Sequence, residues 1–221
     1  KNIKKKNNFF IIPPHTSLST FQKYLHKLPI ILGAQNMHHE DSGAFTGEVS
    51  ASMIKSCGCK IVELGHAERF EYFNESDILI NKKIIQALKY NIIPLVCVGE
   101  KKYNSNINMR KAGLRKKLNV FLKNITLKKN KKIILAYEPI WAIGKSKAAN
   151  LKYISETIEF IRIFCQKKLK INKNQLKVIY GGSVNKKNAL NILNIKNNDG
   201  IFIGRSAINA KDFLDICKMI L

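Results

Sequence analysis

The sequence has no long apolar run, no paired cysteines and little arginine, and each absence excludes a class of protein. No apolar run approaches the roughly 18 to 20 residues of a membrane span. The basic opening is followed by a segment too short and too broken for a secretory signal. The cysteines are odd in number and lack the paired spacing of a zinc site or a disulfide framework. We therefore expect a cytoplasmic protein with reduced thiols, no metal and no membrane partner. The five cysteines are Cys57, Cys59, Cys97, Cys165 and Cys217.

Arginine is scarce although the chain is strongly basic. Only five of the 39 basic residues are arginines, while the formal net charge is +24 at neutral pH. A charge of that size often marks a nucleic-acid binder, but such proteins tend to concentrate arginine and aromatic residues on one patch. Lysine, asparagine and isoleucine are all heavily used here, as codon bias in a genome rich in A and T would produce. We expect no nucleic-acid partner, and a selected polyanion site is the alternative hypothesis.

What the sequence does contain is a repeated pair of elements, a short apolar run followed by an amphipathic stretch. Its 221 residues are enough for one domain with a large core. The runs show little alternation of polar and apolar residues, which is typical of strands buried on both faces of a parallel sheet. We predict strands at Phe9–Ile12, Ile30–Ala34, Lys60–Leu64, Ile92–Val98, Ile133–Ala136, Lys177–Tyr180 and Gly200–Ile203.

Apolar residues at helical spacing lie between these runs. Four segments predict amphipathic helices whose lysine-rich faces point to water. Their apolar positions are Phe21, Tyr24, Leu25 and Leu28; Leu114, Leu118, Phe121 and Leu122; Ile154, Ile158, Ile161 and Cys165; and Phe213, Leu214 and Cys217.

Seven strand-then-helix units predict an α/β fold, because right-handed crossovers place the helices outside a parallel sheet. A closed (β/α)8 barrel, the TIM barrel, has eight such units in typically about 250 residues. We therefore predict a single barrel domain over residues 1–221, in which seven of the eight units are identifiable. The unit without a counterpart is expected to be the first, because the sequence opens just before a strand.

Two ionisable residues stand where predicted strands end, which is where parallel α/β folds carry catalytic groups. His66, in Gly65-His66-Ala67-Glu68-Arg69, can exchange a proton near neutral pH, and Glu68 could orient a neighbouring side chain. Glu138 closes a buried strand, where a carboxylate is costly without a function or a partner. The apolar loop that follows could exclude water and raise the basicity of this carboxylate. The alternatives are a surface histidine beside an ion pair and a carboxylate paired with a lysine.

Two glycine motifs indicate a phosphate site. Tyr180-Gly181-Gly182-Ser183-Val184 and the segment from Gly200 to Gly204-Arg205-Ser206 each place small residues between a strand and a helix. Without side chains in the way, backbone N–H groups can approach a ligand oxygen. The loops after strands 7 and 8 of a barrel frequently bind phosphate in this manner. Taken singly, each motif could be only a tight turn.

Together, these motifs resemble the triosephosphate isomerase family in order and spacing, over about residues 8–221. The set also includes Gly43-Ala44-Phe45-Thr46-Gly47-Glu48 and Ile140-Trp141-Ala142-Ile143-Gly144. The resemblance implies interconversion of dihydroxyacetone phosphate and glyceraldehyde 3-phosphate through an enediolate, in glycolysis and gluconeogenesis, without a cofactor or a metal. A catalytically impaired barrel retained as a binding or scaffold protein is the alternative.

The resemblance assigns the catalytic roles. Glu138 is similar to the general base that moves a proton between C1 and C2 of the substrate. His66 is similar to the neutral electrophile that polarises the substrate carbonyl. Glu68 is expected to support the site from behind.

The resemblance also assigns the phosphate site. Residues 139–149 are similar to a closing lid, in which the N–H of Gly144 binds phosphate. The backbone N–H groups of Ser183, Gly204 and Arg205 are expected to complete this cradle.

Several positions depart from the family pattern. The family has serine where Ala67 stands and arginine where Phe70 stands. Its lid reads Ile-Gly-Thr-Gly-Lys-Thr, where this sequence reads Ile-Gly-Lys-Ser-Lys-Ala from Ile143. The family resemblance therefore does not predict how fast this lid closes. Arg205 replaces a family glycine. We expect its side chain to point away from the bound phosphate, and direct pairing with the phosphate is the alternative.

The largest departure concerns the family's first strand, which carries an Asn-x-Lys motif whose lysine neutralises substrate charge. Asn2-Ile3-Lys4 imitates this motif, but four residues separate it from the strand at Phe9, too few for a helix. Two interpretations stay open, a sequence that lacks its N-terminal segment and a protein that is an incomplete barrel. We favour the first.

The segment from Gln35 to Glu48 predicts a homodimer. It is too long for a free turn between a strand and a helix, and it carries the apolar Phe45. In the family, the residue that matches Thr46 contacts the active site of the partner subunit. The run His38-His39-Glu40-Asp41 in this segment is similar to a metal cluster, but we assign it no metal. Cys97 is expected to pack and not to act as a nucleophile.

Overall fold

The computed structural model describes residues 9–145 and 147–220, and its centre is a parallel sheet of seven strands. The strands are hydrogen-bonded in chain order, from the first to the last. They are β1 Phe9–Ile11, β2 Ile30–Ala34, β3 Ile61–Leu64, β4 Ile93–Val98, β5 Ile133–Tyr137, β6 Leu176–Gly181 and β7 Ile201–Phe202. All seven predicted strands are confirmed, and the first and last residue of each strand lie within one residue of the predicted positions.

Helices connect the strands and surround the sheet. The α-helices are α1 Leu18–Leu25, α2 Ala51–Ser56, α3 Ala67–Tyr72, α4 Asp77–Lys89, α5 Ile107–Phe121, α6 Leu151–Leu169, α7 Ala189–Leu193 and α8 Ala210–Ile220. Short 3-10 turns occupy His15–Ser17, Ile140–Ala142 and Arg205–Ala207. Within the described residues, none of these helices is both long enough and apolar enough to cross a membrane.

The sheet curls until its first and last strands come near each other. Phe10 of β1 and Phe202 of β7 bring their ring centroids to 5.9 Å. In the described part of the chain these two strands are not paired with each other. The side chains inside the curl form an apolar cluster of Ile61, Leu95, Cys97, Ala136 and Ile179. A curled parallel sheet with helices outside it is the TIM-barrel architecture that the sequence predicts.

The outer face of the sheet packs against the helices, and this layer is the larger core. In α6 the predicted apolar stripe is fully buried, and Asn150 caps the helix by accepting the N–H of Tyr153 at 2.8 Å. The predicted stripe of α5 is buried as well. The buried positions of the two helices include Ile154, Ile158, Ile161, Cys165, Leu114, Leu118 and Phe121.

Two predicted helix faces were wrong in part. Helix α1 begins at Leu18, so its buried stripe runs through Leu18 and Leu25, Tyr24 faces solvent, and Leu28 lies beyond the helix end. In α8 the fully buried residue is Ile216, whereas Leu214 is exposed. Both errors arise because the start of a helix fixes which residues face the sheet.

Candidate active site

The candidate residues come together at one rim of the curled sheet. His66 follows β3, Glu100 follows β4 and Glu138 follows β5. Ser183 and Gly204 follow β6 and β7. Because all the strands are parallel, their carboxyl ends meet at the same rim, which is the functional face of a barrel.

His66 is fixed in orientation by the helix that it caps. The preceding Gly65 has φ of +73°, a left-handed conformation that turns the chain sharply at the end of β3. The Nδ1 atom of His66 accepts the backbone N–H of Glu68 at 3.4 Å. A ring nitrogen that accepts a hydrogen bond carries no proton, so the neutral imidazole has its proton on Nε2. The main chain of Glu68 therefore sets the tautomer of His66, while its carboxylate is exposed to solvent.

Glu138 is a buried carboxylate at the end of β5. Its backbone N–H donates to the carbonyl oxygen of Val98 at 2.9 Å, which holds it beside β4. Burial raises the pKa of Glu138, and the opposing influence of His66 is smaller. Among the described residues, Oε2 of Glu138 has no hydrogen-bond partner. A carboxylate that is poorly solvated in this way is a stronger base than an exposed one.

Two glycines allow Glu138 to occupy its position. A Cβ on Gly181 would lie 2.4 Å from Oε1 of Glu138. A Cβ on Gly99 would lie 1.8 Å from the backbone oxygen of Glu138. Any side chain at either position would displace Glu138. The carboxylate borders a recess of about 10 Å³, room for roughly one water molecule, that Gly65, Ala67, Cys97, Val98, Gly99, Lys117 and Ile140 also line.

Glu100 anchors the start of the predicted lid. Its Oε1 accepts hydrogen bonds from Nε1 of Trp141 at 2.9 Å, from the hydroxyl of Tyr137 at 3.0 Å and from that of Tyr153 at 2.6 Å. At the far end of the lid, the N–H of Ala149 donates to the hydroxyl of Tyr180 at 3.3 Å. Sequence reasoning gave Glu100 no role, although it follows β4 as Glu138 follows β5.

The middle of the lid contacts the loops after β6 and β7. The hydroxyl of Ser183 lies 2.8 Å from the carbonyl oxygen of Ala142 and 2.7 Å from that of Lys145. The guanidinium of Arg205 donates to the carbonyl oxygen of Gly144 at 3.4 Å. This bond places the Arg205 side chain against the lid. That it points away from a bound phosphate stays a prediction. Residue 146 of the lid lies outside the described residues.

Four backbone N–H groups in these loops have no hydrogen-bond partner among the described residues. They belong to Gly144, Ser183, Gly204 and Arg205. Gly144 and Ser183 have φ of +71° and +51°, so the chain turns sharply at both. Unpaired N–H groups gathered at such turns are typical of an anion site.

The segment of residues 35–48 is held at its base and exposed at its tip. Asn36 accepts a hydrogen bond from the buried Lys83 of α4 at 2.8 Å, and Asp41 is paired with Lys89 of the same helix. Phe45 and Thr46 at the tip are exposed, and the ring of Phe45 lies 4.3 Å from that of His38 between centroids. The segment therefore has an anchored base and an exposed tip that carries an apolar side chain.

Comparison with known proteins identifies the family. A family profile described as triosephosphate isomerase matches residues 1–220. A triosephosphate isomerase of Mycoplasma mobile is 42% identical over 205 residues, which cover 93% of this chain and 81% of that protein. One of Wigglesworthia glossinidia brevipalpis is 39% identical over 222 residues, which cover 100% of this chain and 87% of that protein. The chain belongs to the triosephosphate isomerase family.

A solved structure agrees with this membership in the triosephosphate isomerase family. The crystal structure of triosephosphate isomerase from Bartonella henselae matches with a TM-score of 0.83 at 32% identity, covering 96% of this chain and 86% of that one. The predicted fold class and family are thereby confirmed. Asn2-Ile3-Lys4, which imitates the family's first-strand motif, lies outside the described residues.

Proposed function

We propose that the protein is a triose-phosphate isomerase, an intramolecular aldose–ketose isomerase that interconverts dihydroxyacetone phosphate and D-glyceraldehyde 3-phosphate. The observation that carries the proposal is the buried carboxylate of Glu138, whose pKa burial raises, at the same rim as His66. A base and a hydrogen-bond donor at one rim are what proton transfer next to a carbonyl requires.

The reaction needs one base and one electrophile. The carboxylate of Glu138 removes the proton from C1 of dihydroxyacetone phosphate while Nε2–H of His66 donates a hydrogen bond to the carbonyl oxygen. The resulting enediolate carries its charge on oxygen, where the imidazole stabilises it. The hydroxyl proton passes from O1 to O2, which moves the charge to O1, and return of the proton from Glu138 to C2 then gives the aldehyde. The carbonyl of the substrate makes the neighbouring proton acidic, so the chemistry calls for no cofactor.

The substrate phosphate is held by main-chain groups. The four unpaired N–H groups of Gly144, Ser183, Gly204 and Arg205 point to a cradle that binds the phosphate oxygens. Binding energy gained at this distant group can hold the reacting carbons against Glu138. Glu68 contributes by fixing the tautomer of His66 through its backbone N–H.

The lid excludes water during the reaction. Its two ends are tied to Glu100 and Tyr180, and its middle contacts Ser183 and Arg205. A closed lid would keep Glu138 poorly solvated and would retain the enediolate, which otherwise loses its phosphate to solvent.

The active form is a homodimer in the cytoplasm. The anchored segment of residues 35–48 carries the exposed Phe45 and Thr46. Tyr72 and Phe73 at the end of α3 and Ile78 of α4 are exposed as well. An apolar tip and exposed apolar helix faces favour contact with a second copy. Thr46 would then reach toward the partner's site, as its family counterpart does.

A coupled assay tests the function. Full-length protein is incubated with dihydroxyacetone phosphate, and formation of glyceraldehyde 3-phosphate is followed by its oxidation with a dehydrogenase. We expect turnover that is abolished in Glu138→Gln. A protein that binds a phosphate-bearing analogue but shows no isomerisation would overturn the proposed isomerase function. The alternative, a catalytically impaired barrel retained as a binding protein, would then hold.

A further inference from the structure

A second acidic residue lies inside the curl of the sheet, below Glu138. Glu63 belongs to β3, and its side chain points inward with Ile61, because alternate residues of a strand share a face. Only 8% of Glu63 is exposed. The reaction described above gives this carboxyl group no task, and a charge in such a place is costly.

A thiol connects Glu63 to the proposed base. The Sγ atom of Cys97, on β4, lies 3.7 Å from Oε1 of Glu63. Cys97 and Glu138 line the same small recess, and hydrogen bonding from the thiol works against the burial that raises the pKa of Glu138. Cys97 is fully buried, and its surroundings raise its pKa well above the usual value, so the group stays a thiol. One S–H proton therefore stands between two carboxyl groups and can serve only one of them at a time.

The surroundings of Glu63 keep it protonated. In the described part of the chain, the charges that act on it are those of carboxylates, Glu138 first and Glu68 second, and the facing group on β4 is the thiol of Cys97. Two carboxylates in a dry interior cannot both ionise. Burial and the nearby Glu138 raise the pKa of Glu63 to about 8. Since Glu138 must be ionised to accept a proton, Glu63 is the member that keeps its proton at neutral pH.

We propose that Glu63 is a positioning residue, a neutral carboxylic acid that acts on the proposed base Glu138 through the thiol of Cys97. As an acid, Glu63 donates its O–H to Sγ of Cys97, which leaves the S–H free to donate to the carboxylate of Glu138. When Glu63 ionises, it accepts the S–H itself and places a second negative charge beside Glu138 and the developing enediolate. This inference rests on the proposed isomerase function.

A pH profile of kcat/KM tests the inference. In the wild type we expect kcat/KM to fall about tenfold from pH 7 to pH 9, as a group of pKa about 8 loses its proton. Glu63→Gln keeps a neutral N–H donor at every pH, so its kcat/KM should change less than about twofold over this range. Glu71→Gln, which removes an exposed carboxylate of α3, should retain the fall of the wild type. An alkaline fall that persists unchanged in Glu63→Gln would overturn the inference and leave the isomerase function standing.

An infrared titration gives a readout that does not depend on activity. At neutral pH the wild type should show the C=O stretch of a buried protonated carboxyl group, lost with a midpoint near pH 8. The band should be absent in Glu63→Gln. In Glu138→Gln it should be present and be lost at a lower pH than in the wild type, because the charge of Glu138 no longer raises the pKa of Glu63. This separates the two residues even if the first variant folds poorly. Absence of the band from both the wild type and Glu138→Gln would show that Glu63 is ionised, and the inference would then be wrong whether or not the protein is an isomerase.

Discussion

The guanidinium of Arg205 donates a hydrogen bond across the rim of the barrel to the carbonyl oxygen of Gly144, 3.4 Å away. The first residue follows β7 and the second belongs to the lid, so the bond joins the two halves of the proposed phosphate cradle. Sequence reasoning weighed a side chain that points away from the phosphate and one that pairs with it. The observed bond to the lid adds a third hypothesis, in which Arg205 affects phosphate binding by favouring lid closure.

Replacing Arg205 should weaken the closed lid. Arg205→Gly removes a hydrogen bond worth a net ~0.5–1.5 kcal/mol, so KM should rise about twofold to tenfold with a smaller effect on kcat. Arg205→Lys keeps the charge without the planar fork and should recover only part of the loss. Trp141, the single tryptophan of the chain, reports lid closure by fluorescence when a phosphate-bearing analogue is added. Unchanged KM and fluorescence in Arg205→Gly would mean that the bond does not contribute to closure.

Shortening the proposed base should affect chemistry more than binding. Glu138→Asp withdraws the carboxylate by about one methylene, and general-base catalysis contributes roughly 10² to 10⁴-fold, so we expect a loss in kcat of that order with little change in KM. Glu71→Asp makes the same change at an exposed carboxylate of α3 and should have no effect. The measurement is kcat and KM of both variants at steady state. An undiminished kcat in Glu138→Asp would show that another residue is the general base.

The fold could be read from the sequence because strand, loop and helix alternate with clear signals. Each strand of this sheet is a short apolar run, and runs such as Ile133–Tyr137 are buried on both faces. His66 and Glu138 could be found because they interrupt that pattern at strand ends. The buried faces of α1 and α8 could not be predicted correctly, because the spacing of apolar residues does not specify where a helix starts.

The contacts between loops could not be predicted from the sequence. Glu100 receives three hydrogen bonds from residues of β5, the lid and α6, and that meeting depends on how the loops pack. Glu63 was visible as a charged residue in an apolar run, but its inward direction and its contact with Cys97 required the register of the strands. The reach of Arg205 to the lid likewise follows from tertiary structure.

Adding a methyl group at Gly181 should displace the proposed base. The new Cβ would stand 2.4 Å from Oε1 of Glu138, so the carboxylate must move, and overpacking of this kind typically costs about 1–3 kcal/mol of stability. We expect Gly181→Ala to lower kcat at least tenfold and to lower the melting temperature. Gly113→Ala is the matched control, because no atom lies within 4 Å of its Cβ on α5 and alanine there should stabilise the helix by about 0.5–1 kcal/mol. A fully active Gly181→Ala would show that Glu138 can adjust its position at no cost.

The tip of the segment of residues 35–48 should control assembly. Phe45 is 43% exposed, and an aspartate at this position would carry a charge into the proposed interface. Light scattering at micromolar concentration should give a dimer for the wild type and a monomer for Phe45→Asp. Tyr24→Asp changes an exposed aromatic residue of α1, outside this segment, and should stay dimeric. A monomeric wild type would contradict the proposed assembly.

A side chain at Gly204 should obstruct the phosphate without a clash against the rest of the protein. No protein atom lies within 4 Å of a Cβ on Gly204, so an added methyl group in Gly204→Ala clashes with no other part of the described chain. The proposed cradle uses the N–H of this residue, and the new methyl group would stand where phosphate oxygens approach. We therefore expect KM to rise at least tenfold, and inhibition by a phosphate-bearing analogue to weaken to the same degree. Thermal unfolding of Gly204→Ala checks that the variant is folded. Equal KM values for the folded variant and the wild type would place the phosphate away from β7.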